Sequence, residues 1–139
     1  MTENAIAKEI VDAAFRMHTT LGPGLLESVY ESVLAYELER RGLRIVRQQP
    51  IPVIYASVRI STGFRADLIV EDKVIVEVKS VELLAPVYKK QLLTDLRLAD
   101  KRLGLLINFQ VALIKDGITR IVNGLEDETH AKPSSRKDA

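Results

Sequence analysis

Apolar and polar positions repeat every second residue over one stretch of the chain and every third or fourth over three others, and this change of period lays out the elements. From Phe64 to Ser80, Phe-Arg-Ala-Asp-Leu-Ile-Val-Glu-Asp-Lys-Val-Ile-Val-Glu-Val-Lys-Ser reads as two short β-branched runs joined by a charged turn, which predicts a β-hairpin. Strand side chains alternate faces. With Glu71-Asp72-Lys73 as a three-residue loop, Val70 faces Val74, Leu68 faces Val76, Asp67 faces Glu77 and Arg65 faces Lys79. One face is then wholly apolar: Ala66, Leu68, Val70, Val74, Val76 and Val78. The other carries Arg65, Asp67, Ile69, Ile75, Glu77 and Lys79. A one-residue slip would bring Asp67 onto the core face opposite a valine, so the pattern selects its own register.

Helical spacing marks Asn4 to Thr20, through Ile6, Ile10, Ala13, Ala14 and Met17, and ends at the breaker Leu21-Gly22-Pro23-Gly24. His18, near that end, is read as structural. A second helix spans about Leu25 to Arg41 and stops at Gly42. Leu43 to Ile60 reads as two strand pieces interrupted by Pro50 and Pro52, hence an edge or bent strand, and Ser61-Thr62-Gly63 as a turn into the hairpin. Pro86 opens a helix over Val87 to Ala99 with Leu92, Leu93, Leu96 and Ala99 toward the core. Leu103 to Phe109 and Gly117 to Asn123 are the last strands. The order predicts an α/β (α+β) domain with a mixed central β-sheet flanked by helices. It occupies 1–123, and 124–139 reads as a polar, flexible tail.

Composition narrows the chemistry. A chain of 139 residues, 47% hydrophobic and 28% charged, suits one folded domain. With no cysteine and two histidines, disulfides, thiolate zinc sites, a cysteine nucleophile and histidine-rich metal sites are excluded. No run reaches the length of a membrane span and the N-terminus has no signal pattern, so a cytoplasmic protein without membrane contact is expected. The net charge of +1 provides no global basic field. Any binding of nucleic acid must therefore use a local patch, for which Arg65, Lys89 and Lys90 are candidates, the two lysines lying in the densest basic cluster of the folded part.

Two carboxylates opposite each other on a strand pair do not both stay ionised without a compensating cation. Lys79 supplies part of it. A hard divalent ion such as magnesium, which takes one or two carboxylates, supplies the rest, with Lys79 beside the attacking water or a phosphate. The plain alternative is an ion-paired hairpin, Arg65 and Lys79 with Asp67 and Glu77, on a solvated sheet face.

Asp67 followed across a hairpin by Glu77-Val78-Lys79 resembles the Asp and Glu-x-Lys signature of the PD-(D/E)XK nuclease superfamily. Gly24-x-x-Glu27-x-x-Tyr30, within Leu21 to Tyr30, is similar to the motif of the small bacterial GxxExxY proteins, a likeness that runs from the first helix to Asn123. The resemblance implies a restriction-endonuclease-like core on which Asp67, Glu77, Glu27 and the Val78 carbonyl surround magnesium, or manganese in its place. Lys79 then stabilises charge and activates water, and Gln91 matches a glutamine that helps hold the site or substrate. Tyr30, three residues after Glu27, packs or donates to Glu27 or a phosphate. Related nucleases often have tyrosine four residues after that glutamine; here Asp95 stands there, a departure that bears on substrate contact and is expected to leave the metal ligands untouched. The implied activity is metal-dependent phosphodiester hydrolysis in nucleic acid, DNA before RNA. Two alternatives stand beside it: a non-catalytic nucleic-acid-binding or scaffold protein that keeps the fold, and a homo-oligomeric module whose charged hairpin face is an interface.

Overall fold

The computed structural model describes residues 1–126. Helix α1 (Glu3–Leu21) begins where the Thr2 hydroxyl accepts the Ala5 N–H at 3.1 Å, an N-cap, and stops at Gly22. Helix α2 (Glu27–Arg40) follows. Arg41, just past its end, pairs with Glu9 at 3.1 Å and Asp12 at 2.8 Å and so ties α2 back to α1. Then come β1 (Ile45–Tyr55), β2 (Val58–Val70), β3 (Val74–Lys79), α3 (Pro86–Ala99) and β4 (Leu103–Asn108). A 3₁₀ turn, Ile114–Gly117, leads into β5 (Ile118–Val122).

The five strands form one mixed sheet in the order β1-β2-β3-β4-β5. Every neighbouring pair is antiparallel except β3 and β4. Parallel neighbours need a crossover, and α3 is that crossover. Helices α1 and α2 pack Ile6, Ile10, Leu34 and Leu38 against Leu68, Val70, Val76 and Leu105 on one face. Helix α3 packs Leu92 and Leu96 against Ile69, Ile75 and Leu106 on the other. Each such side chain contributes about 1.5–3 kcal/mol by leaving water. Covered on both sides, β4 is buried at every position, which is why it reads as an unbroken apolar run. On the second face of the hairpin Ile69 and Ile75 are buried under α3, Asp67, Glu77 and Lys79 are half-buried and Arg65 is exposed, so the solvated face of the ion-paired alternative is reduced to the end where the charged residues lie.

The hairpin register follows the alternation: Val70 opposes Val74, Ile69 opposes Ile75 and Leu68 opposes Val76. Its loop puts Glu71 and Asp72 in the left-handed region, φ 53° and 56°. The Glu71 carboxylate accepts the Arg44 N–H at 2.6 Å and Asp72 meets Lys101 at 3.0 Å. Beyond Leu68 and Val76 the ladder stops, so Asp67 and Glu77 are not a paired rung. Ala66, expected beside Leu68, packs with the α3 cluster instead, on the part of β2 that has left β3.

One boundary differs from the sequence reading. The turn between the first two strands falls at Ala56-Ser57, where Tyr55 opposes Val58, and β2 runs straight through Ser61-Thr62-Gly63. The pairs Ile51 with Phe64 and Val53 with Ile60 leave one β1 residue, Pro52, against three on β2, so those residues are a bulge rather than a turn. Proline has no N–H for the ladder, which makes this an edge-strand interruption, as β1's place at the sheet edge allows. A Cβ on Gly63 would lie 2.8 Å from Val53 Cγ2 and 2.9 Å from the Ile51 carbonyl oxygen. The glycine serves close approach. The tail expected from Gly124 lies outside the described residues from 127 onward, although Leu125 is partly buried against the α1 and α2 cluster.

Candidate active site

The site lies where β2 leaves β3. There the two carboxylates take over the hydrogen bonds that the ladder no longer makes: Asp67 Oδ2 accepts the Val78 N–H at 2.8 Å, and Glu77 Oε2 accepts the Asp67 N–H at 3.1 Å. Each acid is thus fixed by the other's strand. The Lys79 carbonyl accepts the Phe109 N–H at 2.9 Å on the β4 side, so the Val78 carbonyl, one residue back, faces the opening toward Asp67.

Charge around this pair is unbalanced. Burial and then the Asp67 charge push Glu77 up to about 8, against the hydrogen bond from the Asp67 N–H, and Asp95 adds to the rise. Asp67 is raised by burial and by Glu31, against the Val78 hydrogen bond. Asp95 is pushed up to about 6 by burial and by Asp67. Lys79 pulls all three down without cancelling the rise. Its Nζ lies 4.3 Å from the centre of the Tyr88 ring, a cation–π contact, and among the described residues neither Lys79 nor Arg65 forms a salt bridge. The expected ion pairing of the hairpin is absent there.

Two neighbours were not evident from the sequence, and a third, Asp95, has a wider effect than expected. Glu31, buried on α2, accepts from Arg47 at 3.2 Å and from Gln48 at 2.8 Å, and Gln48 also reaches Asp67 Oδ1 at 3.4 Å. Gln48 does so with a left-handed backbone, φ 52°, between the β1 pairs Arg47–Leu68 and Gln49–Ala66. The signal for Glu31 was its place one helical turn after Glu27. Asp95 acts on the acidic pair itself and not on substrate contact alone.

Arg65, Glu77, Lys90, Gln91, Thr94 and Asp95 line one cleft of about 460 Å³ between β2 and α3. Lys89 is exposed and is not among its lining residues. Glu27 is exposed at the start of α2, its Oε2 3.4 Å from the Ser80 N–H, just past the same end of β3 at which Asp67 meets Val78. Tyr30 departs from the substrate-contact expectation because it is fully buried, stacked on Phe109 with ring centres 4.6 Å apart. Its hydroxyl donates to the Gly22 carbonyl at 2.6 Å and accepts the Leu25 N–H at 3.1 Å. His18, buried nearby, contacts the Val111 carbonyl at 3.0 Å, in keeping with a structural role.

The donor set fits a hard divalent cation: two carboxylates, a backbone carbonyl facing the same gap, and negative charge that nearby cations leave uncompensated. Among the described residues no three His, Cys, Asp or Glu side chains converge as a ready-made cage, so the fit is of the two-carboxylate kind. Among them, too, no helix is long and apolar enough to cross a membrane.

A mixed sheet flanked by helices, with an Asp and a Glu-x-Lys at diverging strands, defines a restriction-endonuclease-like domain. A model of the PD-(D/E)XK nuclease superfamily matches residues 4–121, and the chain belongs to that superfamily. Its members are usually nucleases and generally use divalent metals such as magnesium. No curated protein and no solved structure matches the chain.

Proposed function

We propose that this protein is a magnesium-dependent nuclease that hydrolyses phosphodiester bonds in DNA, with manganese as a substitute ion. The observation that carries the reading is the interlocked Asp67 and Glu77, held by each other's backbone yet left with more negative charge than Lys79 offsets. Asp67, Glu77 and the Val78 carbonyl would hold the metal, and Glu27 would serve through water from the first turn of α2. When bound, the ion supplies positive charge at the scissile phosphate. Lys79 orients the attacking water and offsets charge as it builds on phosphorus. Gln91, Arg65 and Lys90 receive the phosphate backbone in the cleft, and Lys89 extends that basic surface.

The reading of the chain as similar to the GxxExxY proteins is supported by the contacts of the motif residues. Tyr30 braces Gly22 and Leu25, Ser80 Oγ donates to the Leu25 carbonyl at 2.7 Å, and Glu27 accepts the Ser80 N–H. The motif thereby clamps the end of β3 that carries Lys79. Lys79→Ala and Asp67→Ala are expected to reduce cleavage by roughly 100-fold or more while circular dichroism stays native. Cleavage kept in either variant would overturn the assignment. A binder that keeps the fold without chemistry predicts instead salt-sensitive binding and no turnover by the wild type.

A further inference from the structure

The β1–β2 ribbon runs on past the rest of the sheet. Strand β3 pairs β2 only at Leu68 to Val70, and α3 covers the ribbon only as far as Ile51 and Phe64. Beyond the bulge, from Val53 to Ile60, the tip is uncovered, with Tyr55 78% and Ile54 55% exposed. The pairs Val53–Ile60 and Tyr55–Val58 make one face of that tip wholly apolar, while Ile54 and Arg59 share the other. An isolated two-stranded ribbon is marginally stable in water, so an exposed apolar tip of this kind calls for a partner surface.

Charge identifies the partner. Between Glu39 and Asp67 the sequence contains no Asp or Glu, in a chain whose 19 acidic residues nearly match its 20 lysines and arginines. Arg47 is engaged by Glu31, but Arg59 and Arg65 are exposed and in no salt bridge among the described residues. A second copy of the chain would set two acid-free ribbons against each other, whereas a polyanion complements them. From Asp67 to the tip, β2 spans about 30 Å at roughly 3.3 Å per residue, close to one turn of duplex DNA. A two-stranded ribbon fits the major groove of B-form DNA, and side chains cannot read the deep, narrow groove of A-form RNA.

We infer that the β1–β2 ribbon is a duplex-gripping arm. Its apolar tip sits in the major groove, Arg59 and Arg65 meet phosphates, and the cleft at its base takes double-stranded DNA. The substrate class rests on the nuclease reading of that cleft; the grip does not.

Fluorescence anisotropy of a short labelled DNA duplex, its single strand and the matching RNA duplex, with magnesium present and Lys79→Ala in every protein so that strands stay intact, tests it. The arm is expected to favour the DNA duplex over the other two. Tyr55→Ser should weaken duplex binding on the order of tenfold and leave single-strand binding unchanged, and Arg59→Ala should lower the salt slope by about 1. Equal binding of all three probes, or duplex binding indifferent to both substitutions, would overturn the inference. So would sedimentation showing a dimer that Tyr55→Ser dissociates. Arm-dependent duplex binding without cleavage by the protein that retains Lys79 would sink the nuclease reading and leave the grip standing, and cleavage with arm-independent binding would do the reverse.

Discussion

At the scale of single residues, Glu77 governs how the site responds to pH. The folded protein keeps its proton up to about 8, whereas its ordinary value is 4.5. Between those values Glu77 holds more proton in the folded state than in the unfolded chain, so its contribution to metal-free stability is fully present below about 4.5 and is lost as pH rises through about 8. Asp95, raised to about 6, acts in the same direction. Urea unfolding across this range in the presence of a chelator checks the sign. In the proposed site magnesium affinity is expected to run the opposite way, because metal must displace the proton, and calorimetry in buffers of different ionisation heat should show proton release that disappears above about 8. Asp95→Asn removes one of the charges that raise Glu77, so the pH profile of magnesium binding should move to lower pH; an unmoved profile would exclude the coupling. Asp67, Glu77 and Lys79 were legible because period-two alternation sets strand faces locally. Glu31 and Gln48 were not, since their approach to Asp67 depends on how α2 crosses β1, and no local period records that.

At the scale of elements, the parts of the chain that bend matter as much as those that pair. Ser61-Thr62-Gly63 has the composition of a turn, yet the chain turns five residues earlier and spends these residues on a bulge opposite Pro52. Turn chemistry and bulge chemistry both favour small residues, so composition could not separate them. Gly63→Ala should destabilise by about 1–3 kcal/mol, because its Cβ meets the Ile51 carbonyl oxygen and Val53. Gly117→Ala sets a Cβ against the Asn108 carbonyl oxygen and should cost at least as much; chemical denaturation of both variants measures it. Tyr30→Phe separates the two roles considered for that residue. As a brace it loses the bonds to Gly22 and Leu25, worth about 1–3 kcal/mol of stability when the buried partners are left unsatisfied. As a substrate contact alone it would leave the unfolding midpoint in place. The helices and β5 followed the expected spans closely because each has a Gly or Pro at one end or both, and β4 did so because it is an unbroken apolar run between Arg102 and Asn108.

At the scale of the whole molecule, near-neutrality conceals segregation. The net charge of +1 averages over a chain that holds both an acidic crevice at the divergence of β2 and β3 and an acid-free ribbon that leads away from it. Overall charge therefore carried no information on nucleic-acid binding, while the order of elements carried the fold class, since a parallel β3–β4 pair requires a helix such as α3 between them. The sheet is mixed, both its faces are covered over β3 and β4, and the site opens where the β2–β3 ladder stops. The decisive measurement is calorimetric titration of magnesium into the wild type and into Glu77→Ala, with the same samples then given DNA. Magnesium binding and cleavage by the wild type, both lost in Glu77→Ala, are the predicted result. No magnesium binding and no cleavage by the wild type, or cleavage undiminished in Glu77→Ala, would contradict a metal nuclease built on this pair of carboxylates.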